Sequence, residues 1–473
     1  MAEETMDPAP EATPEAAKEF AGAEKEAAAA VTDSSSMKEE NNKAEKKALD
    51  ELKQMVREAL NTHEFTPKLS PAPVKEEDKK PQEGSKPDDT KEEEPQAGEE
   101  TAENPGEGIK NPANTEGEGE LGEIPPLLEP EVVSIWGIPL LEDERSDVIL
   151  LKFLRARDFK AKEAFAMLKS VIAWRNQFKS DELLEDKELG QGLDKVVFVH
   201  GADKEGHPVC YNSFAEFQDK ELYQSTFADK EKLNRFLKWR IQFMEKSIRN
   251  LDFSPDGINT FLQVIDLKNS PGLFFFKKEL RHATNQALQL LQDNYPEFVA
   301  KQVFINVPWW YPAYYKMING LFTTRTKSKF VFTSPSRSAE TLFKYIAPEQ
   351  LPVQYGGLSR EGDHEFTILD PAIEDAIKPT SKHVIELPVV EKSTLVWEVR
   401  VIGWDVSYGA EFVPAAEGAY TIIVEKPRKI GPVDETIISN TYNTECAGKV
   451  VLTFENQTSK RKKLLYRSKT KQA

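Results

Sequence analysis

The 473-residue sequence contains few of the residues that mark secreted, metal-binding or membrane-spanning proteins. Its two cysteines, Cys210 and Cys446, are too few for a disulfide framework, and no cysteine–histidine pair has zinc-site spacing. No run of about 18 apolar residues is present, so no transmembrane helix is expected. No apolar run follows the acidic start, so no secretory signal is expected either. These absences predict a soluble cytoplasmic protein that holds no metal.

The sequence also lacks the short motifs of common catalytic sites. It has no phosphate-binding loop of the form G-x-x-x-x-G-K-[ST], no G-x-G-x-x-G after a strand, and no G-x-S-x-G elbow. Isolated histidines such as His200 and His282 are more often structural, hydrogen-bonded residues than catalytic bases. The sequence therefore predicts that the protein is not an enzyme and needs no cofactor.

An excess of positive charge is missing as well. The net charge is −18, and residues 1–120 hold 32 acidic against 15 basic side chains, which leaves the remainder nearly neutral. Without a basic surplus, a general nucleic-acid binder is not expected. Because so polar a segment buries too little apolar area to offset chain entropy, residues 1–125 are predicted to be a disordered acidic tail. Its serines, among them Ser34, are candidates for phosphorylation, which would add like charge.

One apolar pattern interrupts the tail. Leu49, Leu52, Val56 and Leu60 recur at helical spacing between charged residues. The pattern fits a transient, solvated helix, and it also fits an amphipathic helix that docks on a partner.

Helices and strands alternate from about residue 131 onward. Two amphipathic helices over 146–178 predict an all-α unit at 131–190. Buried-type strands then alternate with helices as far as residue 347, which predicts an α/β domain with parallel strand pairs over 191–360. The last hundred residues contain only strand-like runs separated by Gly, Pro and Asn, so an all-β sandwich is predicted over 384–470.

Aromatic residues are concentrated where a helix is predicted over 309–322. The three adjacent rings of Trp309, Trp310 and Tyr311 cannot all point inward on one helix, and Tyr314 and Phe322 follow them. Such rings suit a membrane interface or the lip of a pocket. A helix that both lies on a bilayer and covers a cavity is what lipid extraction requires, because each methylene left in water costs about 0.8 kcal/mol.

Several segments, in the right order, resemble the CRAL-TRIO fold of the yeast phosphatidylinositol transfer proteins: LLKFLRARDF (150–159), VIDLK (264–268), DNYPEF (293–298), FINVPWW (304–310), KSKFVF (327–332) and PEQLPVQYGG (348–357). The segment VWEVRVIGWDVSYGAEFVP (396–414) resembles a GOLD, or Golgi-dynamics, β-sandwich. Together with SIWGIPLL (134–141) and the acidic tail, this order is similar to the plant patellins.

The resemblance implies a lipid-binding lobe with a buried phosphoinositide headgroup site. The headgroup residues it implies are Arg157, Glu297, Thr326 and Lys329. The lysine and arginine would neutralise a phosphodiester, and the threonine and glutamate would bond to the headgroup or to the lysine. A gating helix over about 309–324 would close the pocket.

The sequence departs from the relatives at two places. Asp158 follows Arg157 where the phosphatidylinositol-transferring relatives often have a basic residue. Phe261 and Gln263 stand where those relatives carry a Ser/Thr pair that contacts phosphatidylcholine, so they are assigned to the pocket but choline-lipid exchange is not expected.

The sequence ends in a strongly basic segment. A few basic residues near an anionic leaflet give reversible docking, and the residues assigned to this role are Lys460, Arg461, Lys462, Lys463 and Arg467. Deleting 459–473 is expected to reduce binding to acidic membranes and to leave the pocket intact.

Two functions fit these features. The first is a peripheral carrier that binds phosphoinositides or other hydrophobic ligands and acts in membrane trafficking, with cell-plate formation in plant cytokinesis implied by the resemblance. The second is an adaptor that senses lipid without transferring it and recruits trafficking or membrane proteins through the GOLD domain and the tail.

Overall fold

The computed structural model describes residues 35–66, 129–269, 278–308, 311, 324–431 and 436–472. They form an N-terminal helical unit, an α/β lobe and a C-terminal β-sandwich, in agreement with the predicted fold class. Within these ranges no helix combines the length and apolar content needed to cross a bilayer.

The N-terminal unit is built from three helices and a hairpin whose two strands have two residues each. Its elements are α1 (Ser35–Asn61), β1 (Ser134–Ile135), β2 (Ile138–Pro139), α2 (Glu144–Ala156) and α3 (Ala161–Phe178). Asp143 caps α2 by accepting a hydrogen bond from the Arg145 amide at 2.9 Å, which satisfies one of the free donors at the helix start.

Helix α1 corrects the prediction that residues 1–125 are a disordered tail, because it is packed on the folded unit. Leu52 and Val56 are fully buried against α2 and α3, and Lys53 forms an ion pair with Asp147 of α2 at 2.8 Å. The apolar stripe therefore belongs to the folded unit and is neither a solvated helix nor a free docking helix. The charged residues between its apolar positions hid this role. The rest of the predicted tail, residues 1–34 and 67–125, lies outside the described residues.

The lobe contains a five-stranded sheet in the order β3-β4-β5-β6-β7. The strands β3 (Val197–Ala202) and β4 (Pro208–Ser213) form the predicted antiparallel hairpin, and the remaining pairs are parallel. The other strands are β5 (Phe261–Asp266), β6 (Val299–Ile305) and β7 (Phe330–Phe332). The described helices of the lobe are α4 (Lys220–Phe227), α5 (Lys230–Arg249), α6 (Lys278–Asn294), α7 (Thr324–Lys327) and α8 (Ser338–Tyr345).

The two faces of this sheet are covered to different extents. On one face Val264, Val303 and Ile305 are almost completely buried with Leu342 of α8. On the other face two rows of side chains cross the sheet, Cys210–Gln263–Gln302–Phe330 and Asn212–Ile265–Phe304–Phe332. Both rows are buried at β4, where α5 and α6 cover them, and are half-buried at β5 and at most positions of β6 and β7.

The C-terminal sandwich consists of two four-stranded antiparallel sheets, β13-β10-β15-β8 and β12-β11-β14-β9. The strands are β8 (Ile373–Ile377), β9 (Ser381–Val389), β10 (Ser393–Ile402), β11 (Val406–Pro414), β12 (Ile422–Ile430), β13 (Ile438–Thr444), β14 (Gly448–Asn456) and β15 (Lys462–Gln472). The first strand thus begins before the predicted boundary at residue 384. Trp397 and Tyr408 fill the centre, where the indole N–H donates to the phenolic oxygen at 3.0 Å.

The sandwich is attached to the lobe through buried polar contacts. Arg400 of β10 donates to the carbonyls of Val353 and Gly357, at 2.8 and 2.5 Å, in the loop after α8. Arg360 pairs with the buried Glu398 of β10 at 2.8 Å. These contacts make the PEQLPVQYGG segment a contact surface for the sandwich.

Candidate functional site

A cluster of polar residues lies where three parallel strands of the lobe begin. Asn259, Glu297 and Lys329 precede β5, β6 and β7 in the sequence. The amino ends of neighbouring parallel strands meet at one edge of a sheet, so the fold brings together residues that are 32 to 70 positions apart in the chain.

Glu297 is the centre of this cluster. Its carboxylate accepts from Lys329 Nζ at 2.8 Å and from Arg325 Nε at 3.0 Å. Burial alone would raise the pKa of Glu297, but the hydrogen bond and charge of Lys329, together with Arg325, hold it below its usual value. The glutamate is therefore a fixed anion between two cations, and the cluster keeps a net positive charge.

A buried lysine holds Glu297 in an uncommon backbone conformation. Glu297 has a φ of 57°, in the left-handed region that non-glycine residues seldom adopt. Lys152 of α2, which is 1% exposed, donates to the carbonyl of Glu297 at 3.1 Å and to the carbonyl and side-chain oxygens of Asn259 at 2.8 and 2.9 Å. Lys152 thereby links the helical unit to the site.

Burial also makes Lys152 an unusual titrating group. Its ammonium lies 4.2 Å from the centre of the Phe298 ring. Burial, and then the charge of Arg155, lower the pKa of Lys152 to about 7, while Glu297 acts in the opposite direction.

Two of the predicted headgroup residues, Glu297 and Lys329, pair directly in this cluster. Thr326, in α7, is half-buried, and its carbonyl accepts from the Lys329 amide at 3.2 Å. Arg157 is exposed at the end of α2 and donates to the carbonyl of Ala156 at 2.9 Å. Its side chain would have to rotate away from this contact in order to reach a headgroup.

Lys152 and Arg325 were missed in the sequence. A charge inside the apolar run LLKFL was the available signal for Lys152, because a buried lysine needs several acceptors. Arg325 had a weaker signal, since it precedes Thr326 in a polar segment where any basic residue is solvated by default.

The predicted pocket residues divide into three groups. Phe261 is 2% exposed and packs in the core of the helical unit, so its assignment to the pocket is corrected. Gln263 lies on the half-buried face of the sheet, where its side-chain oxygen accepts from Gln302 at 2.9 Å. Four predicted gate residues lie outside the described residues: Trp309, Trp310, Tyr314 and Phe322.

Tyr311 is the one predicted gate residue that the structure describes. Its ring centre lies 6.2 Å from that of Phe304 and 5.7 Å from that of Phe332, on the half-buried face. Tyr311 therefore lies beside the aromatic residues of this face.

The basic C-terminal segment is largely part of the sandwich. Arg467 is 3% exposed, donates to Glu398 at 2.7 Å, and is close to Asp363. Lys462 is buried and donates to the carbonyl of Gly403 at 2.6 Å, and Lys463 pairs with Glu374 at 2.7 Å. Arg467 and Lys462 are enclosed by the fold, so their assignment to membrane docking is corrected. Lys463 is half-buried, and its assignment to docking stays a prediction.

Lys460 and Arg461 remain exposed in the loop before β15. Because β15 pairs with both β10 and β8, deleting 459–473 would remove a central strand. The deletion would therefore disrupt the sandwich as well as remove basic residues, so it does not measure membrane docking alone.

Comparison with known families agrees with this architecture. Residues 48–170 match the CRAL/TRIO N-terminal domain, residues 194–357 match the CRAL/TRIO domain, and residues 378–463 match the Patellin-1-like C-terminal GOLD domain. The first match begins within α1, as the packing of that helix requires.

Individual relatives cover different shares of the chain. The chain is 52% identical to Patellin-3 of Arabidopsis thaliana over 431 residues, which is 90% of this chain and 75% of that protein. It is 59% identical to Patellin-5 of Arabidopsis thaliana over 341 residues, 72% of this chain but about half (51%) of that protein. The phosphatidylinositol transfer protein SFH5 of Scheffersomyces stipitis is 29% identical over 255 residues, which is 50% of this chain and 76% of that protein.

Proposed function

Because the chain belongs to the patellin family, with a CRAL-TRIO lobe joined to a GOLD domain, we propose that it is a peripheral lipid-binding and transfer protein. Its cargo is a phosphoinositide or another hydrophobic ligand held in the lobe. The name of the SFH5 relative, a phosphatidylinositol transfer protein, supports this class of cargo.

The observation that carries the proposal is the position of the Glu297–Lys329–Arg325 cluster at the edge of a half-buried sheet face that carries Phe304 and Phe332. Phe304 and Phe332 stack on that face with ring centres 4.8 Å apart and are only half-buried. A ligand with a charged phosphate and an apolar tail matches a cationic cluster beside an aromatic surface.

In this proposal each part of the site has a separate role. Lys329 and Arg325 neutralise the phosphate, Glu297 orients them and accepts from headgroup hydroxyls, and Thr326 and Arg157 complete the rim. The acyl chains lie along the face of Ile265 and Phe304, and the segment that begins near Tyr311 closes over them.

The proposed setting follows from the family resemblance. The protein acts from the cytoplasm at membrane surfaces, in trafficking and in cell-plate formation during plant cytokinesis, with the cell plate and plasma membrane as its sites. The exposed Lys460 and Arg461 provide reversible attraction to anionic membranes, the GOLD domain engages trafficking or membrane proteins, and phosphorylation of the tail tunes both.

A transfer assay tests the proposal. Purified full-length protein is mixed with donor vesicles that contain phosphatidylinositol and with acceptor vesicles that lack it. The wild type is expected to move the lipid, and the double variant Glu297→Ala/Lys329→Ala to lose at least roughly tenfold in rate, since two charge-assisted contacts are removed.

The matched control is Lys179→Ala/Glu182→Ala, which removes an exposed ion pair from the helical unit. The control is expected to transfer lipid like the wild type. If the wild type retains lipid but moves none between vesicles, the adaptor function replaces the carrier. Undiminished transfer by the Glu297/Lys329 variant would show that the headgroup lies elsewhere.

A further inference from the structure

A second polar cleft lies at one end of the GOLD sandwich, away from the lobe site. It has a volume of about 480 Å³ and is lined by the turn between β10 and β11 (residues 402–405) and the loop between β14 and β15 (residues 458–462). The lining includes three basic side chains, two hydroxyls and one carboxylate.

One wall of the cleft is held in a fixed shape by a buried asparagine. Asn456, which is 1% exposed, donates to the carbonyls of Lys378 and Lys460 at 2.9 and 2.8 Å. Its side-chain oxygen accepts from the amide and the hydroxyl of Thr458 at 3.0 and 2.8 Å. These hydrogen bonds fix the backbone of the loop that carries Lys460 and Arg461. Less conformational entropy of the loop is therefore lost when a ligand binds.

The opposite wall depends on a glycine and a buried lysine. Gly403 has a φ of 101°, and its carbonyl accepts from Lys462 Nζ at 2.6 Å. A Cβ at this position would lie 3.4 Å from Lys462 Cδ. The turn thus brings the Lys462 ammonium to the wall of the cleft and holds it there.

The charge in the cleft favours a phosphate. Lys460 and Arg461 are exposed, while the one carboxylate of the lining, Asp405, pairs with Lys429 at 2.9 Å. The hydrogen bond and charge of Lys429 lower the pKa of Asp405, so this carboxylate stays ionised and already has its own cation. The exposed Lys460, Arg461 and Ser459 are then available to a ligand, and the buried Lys462 adds a fixed positive charge to the wall. These groups suit the two negative charges of a phosphomonoester.

We propose that this cleft binds a phosphomonoester on the headgroup of a phosphorylated phosphatidylinositol at a membrane surface. The choice of lipid rests on the proposed function, because a carrier of phosphoinositides works at membranes that contain them. The cleft would hold the GOLD domain on such a membrane while the lobe exchanges its cargo at a separate site.

The test is vesicle flotation of the full-length protein. Three phosphatidylcholine vesicle types are compared: one with phosphatidylinositol 4-phosphate, one with phosphatidylserine at the same total charge, and one with neither. The variant is Lys460→Ala/Arg461→Ala, and the matched control is Lys382→Ala/Lys426→Ala, which removes the same charge from exposed positions of the same sandwich.

The wild type and the control are expected to prefer the phosphatidylinositol 4-phosphate vesicles. The Lys460/Arg461 variant is expected to bind them at least roughly 30-fold more weakly, since two charge-assisted contacts to the phosphate are removed. Its affinity for the phosphatidylserine vesicles is expected to fall much less. A thermal melt like that of the wild type would show that the exposed substitutions leave the fold intact.

Three results would overturn the inference. An equal loss on both acidic vesicles would mean plain charge attraction, and no loss on either would mean that the cleft does not bind. Binding of soluble inositol phosphate without binding to vesicles would exclude the membrane source. Mass spectrometry of the lipid retained by the same wild-type sample measures binding in the lobe independently. A cleft that does not bind is therefore distinguishable from a lobe that carries no lipid.

Discussion

The lobe and the GOLD domain each contain a glutamate paired with basic residues, and the two sets differ in how far their basic side chains are exposed to solvent. In the lobe, Glu297 lies at a sheet edge, and Lys329 and Arg325 remain 21% and 49% exposed. In the sandwich, Glu398 is fully buried, and Arg467 beside it is 2% exposed. Cations that keep access to solvent are available to a ligand, whereas enclosed cations serve the fold.

The largest expected effect comes from breaking the enclosed set. Arg467→Ala breaks the buried ion pair with Glu398, which keeps the partly exposed Arg360 as a partner. The substitution is expected to destabilise the GOLD domain by about 3–5 kcal/mol, the usual cost of breaking a buried pair. Lys471 lies on the same strand as Arg467 and forms an exposed pair with Glu365. Lys471→Ala is expected to cost about 1 kcal/mol or less. Urea unfolding measures both, and similar values would contradict the distinction between enclosed and open charges.

A smaller effect, dependent on pH, is expected at Lys152. Burial lowers its pKa from 10.5 to about 7 in the folded protein. Between these two values the unfolded chain still binds the proton that the folded protein has released, so the free energy of unfolding rises with pH. Between about pH 6.5 and about pH 9.5, the stability of the wild type relative to Lys152→Met is expected to rise by roughly 3 kcal/mol. Urea unfolding at the two pH values checks this, and a difference that does not change with pH would show that Lys152 titrates normally.

The smallest effect is expected at Glu297. Because its pKa is lowered from 4.5, its ion pairs stabilise the native state above that pH, and this contribution is lost as the pH falls through the lower folded value. Glu297→Gln is expected to cost about 1 kcal/mol near neutral pH, as a partly exposed pair does. The cost should vanish in acid. Thermal melts at neutral and acidic pH measure it, and an equal cost at both would mean that the carboxylate charge plays no part.

The sequence was sufficient for the fold class and for the pairing of Glu297 with Lys329. Glu297 and Lys329 stand in segments whose order resembles a known family, so they could be placed before any contact was visible. Arg325 and Lys152 could not, because their roles depend on the left-handed backbone at Glu297 and on the approach of α2 to the sheet edge.

Distance along the chain explains the errors at the two ends. Arg467 was assigned to a membrane because its neighbours in the sequence are basic, but its partner Glu398 lies 69 positions away. Leu52 and Val56 pack on α2 and α3, beyond a long polar segment that made their helix look isolated. A local pattern identifies an amphipathic surface, and only the fold decides what covers it.

The central claim is that the lobe holds a lipid at the Glu297–Lys329 site, and native mass spectrometry of the full-length chain tests it most directly. After incubation with vesicles that contain phosphatidylinositol, the wild type is expected to carry one lipid per chain, and Glu297→Ala/Lys329→Ala is expected to carry none. A wild type that stays free of lipid, or a double variant that binds as much as the wild type, would contradict the account.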